Sequence, residues 1–152
     1  MAVNFIPEGY YSLTPYLIVK GAREAMAYYA KAFGAQEVVN MPGPGGSVMH
    51  AEMQIGNARF MLADENPERG SKSPKTLGGS AGSVMIYTED VDATVKRAVD
   101  AGANVVMPVQ DMFWGDRYGI VVDPFGHQWQ IATHKEDLTP EEMQKRMQAM
   151  AG

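Results

Sequence analysis

At 152 residues, 45% hydrophobic and 20% charged, the chain has the composition of an ordinary globular domain long enough to bury a core. A formal net charge of -5 with no cluster of Lys or Arg on any predicted face argues against nucleic acid, whose binding rests on phosphate neutralisation, and the absence of Cys excludes disulfides, thiolate metal sites and a Cys nucleophile. No apolar run approaches the roughly 20 residues that span a bilayer, and no basic segment precedes an apolar one at the start, so a cytoplasmic protein without anchor or signal peptide is expected.

Residues 13–19 alternate as a strand, and from Gly21 the spacing turns helical, with Ala22, Ala25, Met26, Tyr29 and Phe33 on one stripe. Gly34 is placed to end that helix in the left-handed conformation that glycine adopts without a Cβ penalty. Strands follow near 37–41, over 47–55 and over 59–64, joined by a Pro42-Gly-Pro-Gly-Gly turn and a tight Gly56-Asn57 turn. Residues 65–82 show no periodic pattern and read as a tether, with a lid over a binding site as the functional alternative. A strand over 83–88 and a helix from about Val91, with Val95, Ala98 and Val99 on one face and Gly102 at its end, then reopen the same order. Strands near 105–108, 117–122 and 128–133 complete it. Thr139-Pro140-Glu141-Glu142 is a capping box with proline at the first helical position, opening a helix over about 139–149 whose Met143 and Met147 sit one turn apart.

One β-α-β-β-β unit is thus written twice, over about 11–64 and 83–134. Thr14 and Met61 are 47 residues apart, as are Ser83 and Gln130, and Phe60-Met61-Leu62 aligns with Trp129-Gln130-Ile131 at an offset of 69. The helix-ending pairs Gly34-Ala35 and Gly102-Ala103 align at 68, so one deletion reconciles the copies. The fold class is α+β, a single domain of two tandem modules.

If each helix covers one face of its sheet, strand alternation sorts the side chains. Under the helices fall Leu13, Leu17, Val19, Met49, Ala51, Met53, Ile55, Phe60, Leu62, Val84, Ile86, Trp129 and Ile131. The other face receives Thr14, Tyr16, Val48, His50, Glu52, Gln54, Arg59, Met61, Ser83, Met85, Tyr87, Gln128 and Gln130. Polar, aromatic and thioether groups mixed in this way suit a concave ligand site with a few orienting hydrogen bonds, the alternative being a merely solvated sheet face.

Pro15-Tyr16-Leu17-Ile18-Val19, Tyr28-Tyr29 before Phe33-Gly34, Met49-His50-Ala51-Glu52, Gly115-Asp116-Arg117 and Asp123-Pro124-Phe125-Gly126-His127-Gln128-Trp129 carry a family resemblance over residues 10–135. The chain resembles the vicinal oxygen chelate superfamily, which includes glyoxalase I, bleomycin-resistance proteins and type I extradiol dioxygenases, and within it the PhnB-like, glyoxalase-related branch. The resemblance implies paired β-α-β-β-β modules in an open barrel-like mixed sheet around a ligand cavity, commonly in a homodimer.

It also implies four metal-ligand positions, typically His, Glu or Gln, and these fall here on Thr14, Met61, Ser83 and Gln130. Such a set lacks the carboxylates and imidazoles that a divalent ion needs in exchange for its water, so no metal and no cofactor are expected. The expected function is metal-free binding of a small, partly aromatic organic molecule by Thr14, Tyr16, His50, Met61, Ser83, Met85, Trp114, Arg117 and Gln130. Trp114 and Arg117 admit two readings, a pocket wall with an anion-binding guanidinium, or a bend at Gly115 with local ion pairs. The alternative function is a lyase, isomerase or dioxygenase-like enzyme with a displaced, metal-dependent site at His50 and Glu52, which alternate onto one face. His127 and His134 read as a packing residue and an exposed one. The expected partners are a small molecule and a second copy of the chain, not nucleic acid or a membrane.

Overall fold

A computed structural model describes residues 2–152. The described residues form two compact units, one of residues 2–81 with 125–127, the other of residues 82–124 with 128–152. Each carries a four-stranded mixed sheet that is open, with two edge strands.

In the first unit, β1 (Tyr16–Val19) leads through α1 (Ala22–Phe33) to β2 (Gln36–Pro42), β3 (Val48–Ile55) and β4 (Ala58–Asp64). The sheet order is β1-β4-β3-β2, with β1 parallel to β4 and the rest antiparallel. All five residues of the expected α1 stripe are buried. Tyr29 is at the centre of an aromatic cluster with Tyr28, Phe33, Phe60 and Phe125. Gly34 takes the left-handed cap at φ 67. The N-terminus of α1 has no side-chain cap of its own. Instead Asp64, at the end of β4, accepts hydrogen bonds from Gly21 and Ala22 N–H at 2.9 and 2.8 Å and from Val48 N–H at 2.7 Å.

The second unit repeats the plan with β5 (Ser83–Tyr87), α3 (Val91–Asp100), β6 (Asn104–Asp111), β7 (Asp116–Val122) and β8 (Gln128–His134), in the order β5-β8-β7-β6. Its core is built on Trp129, Ile131, Val121, Val91 and Ala98. Thr133 stands where the offset of 69 places the partner of Asp64, and its hydroxyl accepts from Val91 N–H at 2.9 Å. The same long-range helix cap therefore recurs with a hydroxyl in place of a carboxylate. The last helix, α4 (Pro140–Met150), begins at Thr139, whose hydroxyl accepts from Glu142 N–H at 3.2 Å, and none of its residues is buried.

Four expectations need correction. β1 starts at Tyr16, and Leu13, expected under a helix, is 91% exposed. The β2–β3 register slips between Met41 and Pro42, which buries Val48 and turns Met49 outward, the reverse of simple alternation. Ala101, not Gly102, is the residue that caps α3, although Gly102 has the positive φ that ends it. Residues 65–82 are no plain tether. They hold a 3-10 turn, Pro67–Arg69, and a short helix α2, Pro74–Leu77, pinned where Glu65 accepts from Ser73 N–H at 2.8 Å and from the Thr76 hydroxyl at 2.8 Å. Ser73 and Pro74 are buried, and a Cβ at Gly126 would lie 2.8 Å from Pro74.

Candidate ligand-binding site

On the helix-free face of the first sheet, strand pairing sets Tyr16 beside Met61 and Met61 beside Glu52, with His50 two residues before Glu52 on the same face. Four side chains form one chain of hydrogen bonds. The Tyr16 hydroxyl lies 2.9 Å from His50 Nδ1, His50 Nε2 lies 3.0 Å from Glu52 Oε1, and the Tyr10 hydroxyl donates to Glu52 Oε2. The donated hydrogen bonds of Tyr10 and then His50 hold the Glu52 carboxyl below the usual carboxylate range. Burial, and next the neighbouring Glu52, push the Tyr10 phenol up.

Tyr10 is delivered by a segment whose residues 8–10 lie against Arg59. The Arg59 guanidinium sits 5.2 Å from the Tyr10 ring centroid and donates to Gln54 Oε1 at 3.2 Å and to the Glu8 carbonyl at 3.3 Å. Gly9, at φ 83, is pressed so close that a Cβ would lie 2.5 Å from Arg59 Cζ. Thr14 is half-buried and precedes β1, where Met61 N–H donates to the carbonyl of Pro15 at 2.9 Å.

On the helix-free face of the second sheet, the Gln130 amide donates to Ser83 Oγ at 2.5 Å and accepts from the Tyr118 hydroxyl at 2.6 Å. Met85 pairs with Gln130 across the parallel strands. Trp114 stands edge-on to Tyr118 with centroids 5.4 Å apart. Beside them Asp116, only 4% exposed, accepts from Trp114 Nε1 at 3.0 Å, from His134 Nδ1 at 2.7 Å and from the Tyr87 hydroxyl at 3.4 Å. Asp137, at 2.8 Å from Nε2, and then Asp116 hold His134 above the usual imidazole range. Burial pushes the Tyr118 phenol up.

Arg117 does not join this face. Alternation along β7 turns it to the helix side with Gly119 and Val121, where it donates to both carboxylate oxygens of Asp92 at 2.7 and 3.0 Å and to Asp111 at 3.2 Å. Of the two readings the sequence leaves open for Arg117, the ion-pair one describes it. Asp116 does not pair with Arg117; its ion pair is with His134, and it also accepts from Trp114 and Tyr87.

The four positions at which the resemblance implies metal ligands, Thr14, Met61, Ser83 and Gln130, carry two hydroxyls, a thioether and an amide, with no negative charge among them. Both ends of the Gln130 amide are already engaged, and the Met61 thioether is a poor donor for Mg, Mn or other oxygen-seeking ions. Among the described residues no three His, Cys, Asp or Glu side chains gather as a metal site. His50 and Glu52 converge, but they supply only two donors, each already bonded to a tyrosine. The residues do not fit a divalent ion.

Of the side chains singled out from the sequence, Tyr16, His50, Glu52 and Met61 come together on the first face, and Ser83, Met85, Trp114 and Gln130 on the second. Tyr10, Tyr118 and Asp116 were missed as members of these sites. Strand alternation places Tyr118 on the face of Gln130, a signal available from β7 alone. For Tyr10 no local pattern exists, because its partner Glu52 is 42 residues away.

The model of the glyoxalase/bleomycin resistance protein/dioxygenase superfamily matches residues 11–131. An uncharacterised protein of Mycobacterium bovis is 41% identical over 150 residues, covering 97% of this chain and 96% of its own. The solved structure of an Arabidopsis thaliana gene product is 28% identical and superposes with a TM-score of 0.66, covering 81% of this chain and 98% of that one. TioX from a Micromonospora species is 25% identical with a TM-score of 0.64, covering 85% and 100%. No helix among the described residues is long and apolar enough to cross a membrane. With its duplicated β-α-β-β-β units and a family match over most of its length, the chain belongs to the glyoxalase/bleomycin resistance protein/dioxygenase superfamily.

Proposed function

We propose that the protein is a metal-free receptor for a small, partly aromatic organic molecule, held against a helix-free sheet face by aromatic and thioether contact and a few hydrogen bonds. The observation that carries this reading is Gln130, locked between Ser83 and Tyr118 where a metal-binding relative needs a free, preferably charged donor. Around it, Met85 at 38% and Tyr87 at 64% exposure offer adaptable and flat apolar surface next to fixed polar groups. Thr14, Tyr16, His50 and Met61 offer the corresponding mixture on the first unit.

The test joins metal analysis to thermal shift. After dialysis against Zn, Ni, Mn or Fe, the protein is expected to retain no stoichiometric ion. An aromatic ligand at about a hundred times its Kd stabilises by about 2.7 kcal/mol, or roughly 5–10 °C for a chain of this size. Gln130→Ala and Met85→Ala reduce that shift. One tightly held cation per chain would refute the reading. A second reading, an enzyme working through His50 and Glu52, is supported by their observed link to each other and to Tyr16. It predicts that any activity found is lost in His50→Ala. Homodimerisation belongs to the same proposal, supported by the open sheet edges and by α4 with Met147 exposed. Sedimentation at micromolar concentration giving only monomer would end it.

A further inference from the structure

The geometry points to Tyr16 as a proton-exchanging phenol, driven by the Glu52–His50 pair and serving a neutral aromatic or conjugated ligand that bears a phenolic or enolic hydroxyl. The order of the chain follows from what each atom can do. Glu52 accepts at both oxygens, so His50 Nε2, 3.0 Å from Oε1, carries the hydrogen of that bond. In the neutral imidazole Nδ1 is then an acceptor, and the donor that faces it at 2.9 Å is the Tyr16 hydroxyl. Carboxylate, imidazole and phenol stand in the sequence that activates a hydroxyl nucleophile in other proteins.

Exposure grades along this chain in the direction a relay needs. The side chains of Glu52 and His50 are 17% and 23% exposed, whereas Tyr16 is 48% exposed. When the phenol oxygen takes a ligand's proton or attacks an electrophile, its own proton passes to Nδ1 and Glu52 stabilises the imidazolium. Tyr10 is a positioning residue, fixing the second oxygen of Glu52 so that the first stays on His50.

The second unit lacks the device. Ile120 pairs with Gln130 as Glu52 pairs with Met61, and two residues earlier stands Tyr118 in place of His50. The ligand class follows from the neighbour of Tyr16, the uncharged Met61 thioether, which favours a flat apolar body over an ion. This placement of the ligand rests on the receptor reading above. The relay itself does not require it.

An aryl sulfonyl fluoride tests the relay without any ligand. The phenol oxygen attacks sulfur, an S–O bond forms as S–F breaks, fluoride leaves, and the phenol proton passes through His50 to water. Peptide mass spectrometry is expected to show Tyr16 labelled about a hundredfold faster than the exposed Tyr11, the low end of what a positioned base confers. In folded His50→Gln and Glu52→Gln the excess disappears. In Tyr10→Phe, which leaves the sheet residues in place, it falls. Labelling of Tyr16 no faster than Tyr11, or undiminished in these variants, overturns the relay.

4-Nitrophenol, which changes colour on ionising, tests the ligand class. Wild-type protein is expected to bind it with a spectral shift that Tyr16→Phe abolishes. Fast labelling with no such binding overturns the ligand class. Binding with no excess labelling overturns the relay and leaves the receptor reading standing.

Discussion

Replacing Asp64 by Ala removes the acceptor of three backbone amides at once, two at the unassisted N-terminus of α1 and one at the start of β3. Hydrogen bonds to a charged acceptor contribute about 1.5–3 kcal/mol each, and amides at a helix terminus recover part of that from water, so the loss is expected at about 3–5 kcal/mol. At about 2 kcal/mol per molar urea, the midpoint falls by about 1.5–2.5 M. Asp64→Asn keeps one acceptor oxygen and is expected to cost about half as much. Thr133→Ala is the internal control. It removes a single neutral bond, to Val91 N–H, from a helix whose own cap, Asp90 accepting from Ala93 N–H at 3.0 Å, stays in place, so about 1 kcal/mol is expected. The assay is urea unfolding followed by far-ultraviolet circular dichroism, with tryptophan fluorescence as a second probe that reports Trp114 and Trp129 of the second unit. If Asp64→Ala and Thr133→Ala agree within about 1 kcal/mol, the account of the long-range cap is wrong.

Trp129→Phe shrinks a fully buried side chain and takes the indole donor, 2.9 Å away, from the buried Asp123; a loss of about 2–4 kcal/mol in denaturant unfolding is expected, and a loss below 1 would contradict it. Gly9→Ala puts a Cβ on a left-handed backbone, while the nearest obstacle, Arg59 Cζ, ends a flexible side chain that can move aside; hydrogen exchange around residues 8–10 is expected to rise at least about tenfold while the sheet is unchanged, and unaltered exchange would refute the backbone strain. For His134, held above its usual value by Asp137 and Asp116, the linked stability is fully present below about pH 6.5 and is lost as pH rises through the folded value. Urea midpoints measured from pH 6 to 9 should decline in the wild type and flatten in His134→Gln. Glu52, held low, works in the opposite sense, its contribution present above about pH 4.5 and lost on acidification, so Glu52→Gln should flatten the acid limb.

The duplication was legible because period and punctuation agree twice, from the α1 stripe to Gly34 and from the α3 stripe to Gly102. Faces were legible wherever register is regular, as for Leu17, Phe60, Trp129 and Ile131. They were misread at Val48 and Met49, where a slipped register shifts side-chain alternation out of phase with the sequence. Arg117 was ambiguous because a guanidinium suits either a ligand or a helix-side carboxylate, and only Asp92, 25 residues away, decides it. The fixed geometry of residues 65–82 was invisible for a related reason. Glu65, Ser73 and Thr76 hold one another through single hydrogen bonds, which leave no hydrophobic period to detect.

The slips in register have a further consequence at the sheet margins. β2 carries Pro42 and two breaks in its pairing, and β6 carries Pro108 and two more. A proline and irregular pairing in each strand interrupt the regular ladder geometry that an incoming chain would have to match there, leaving β1 and β5 as the more regular edges. The β2 and β6 margins are therefore poorer templates for an added strand than a regular, proline-free edge would be.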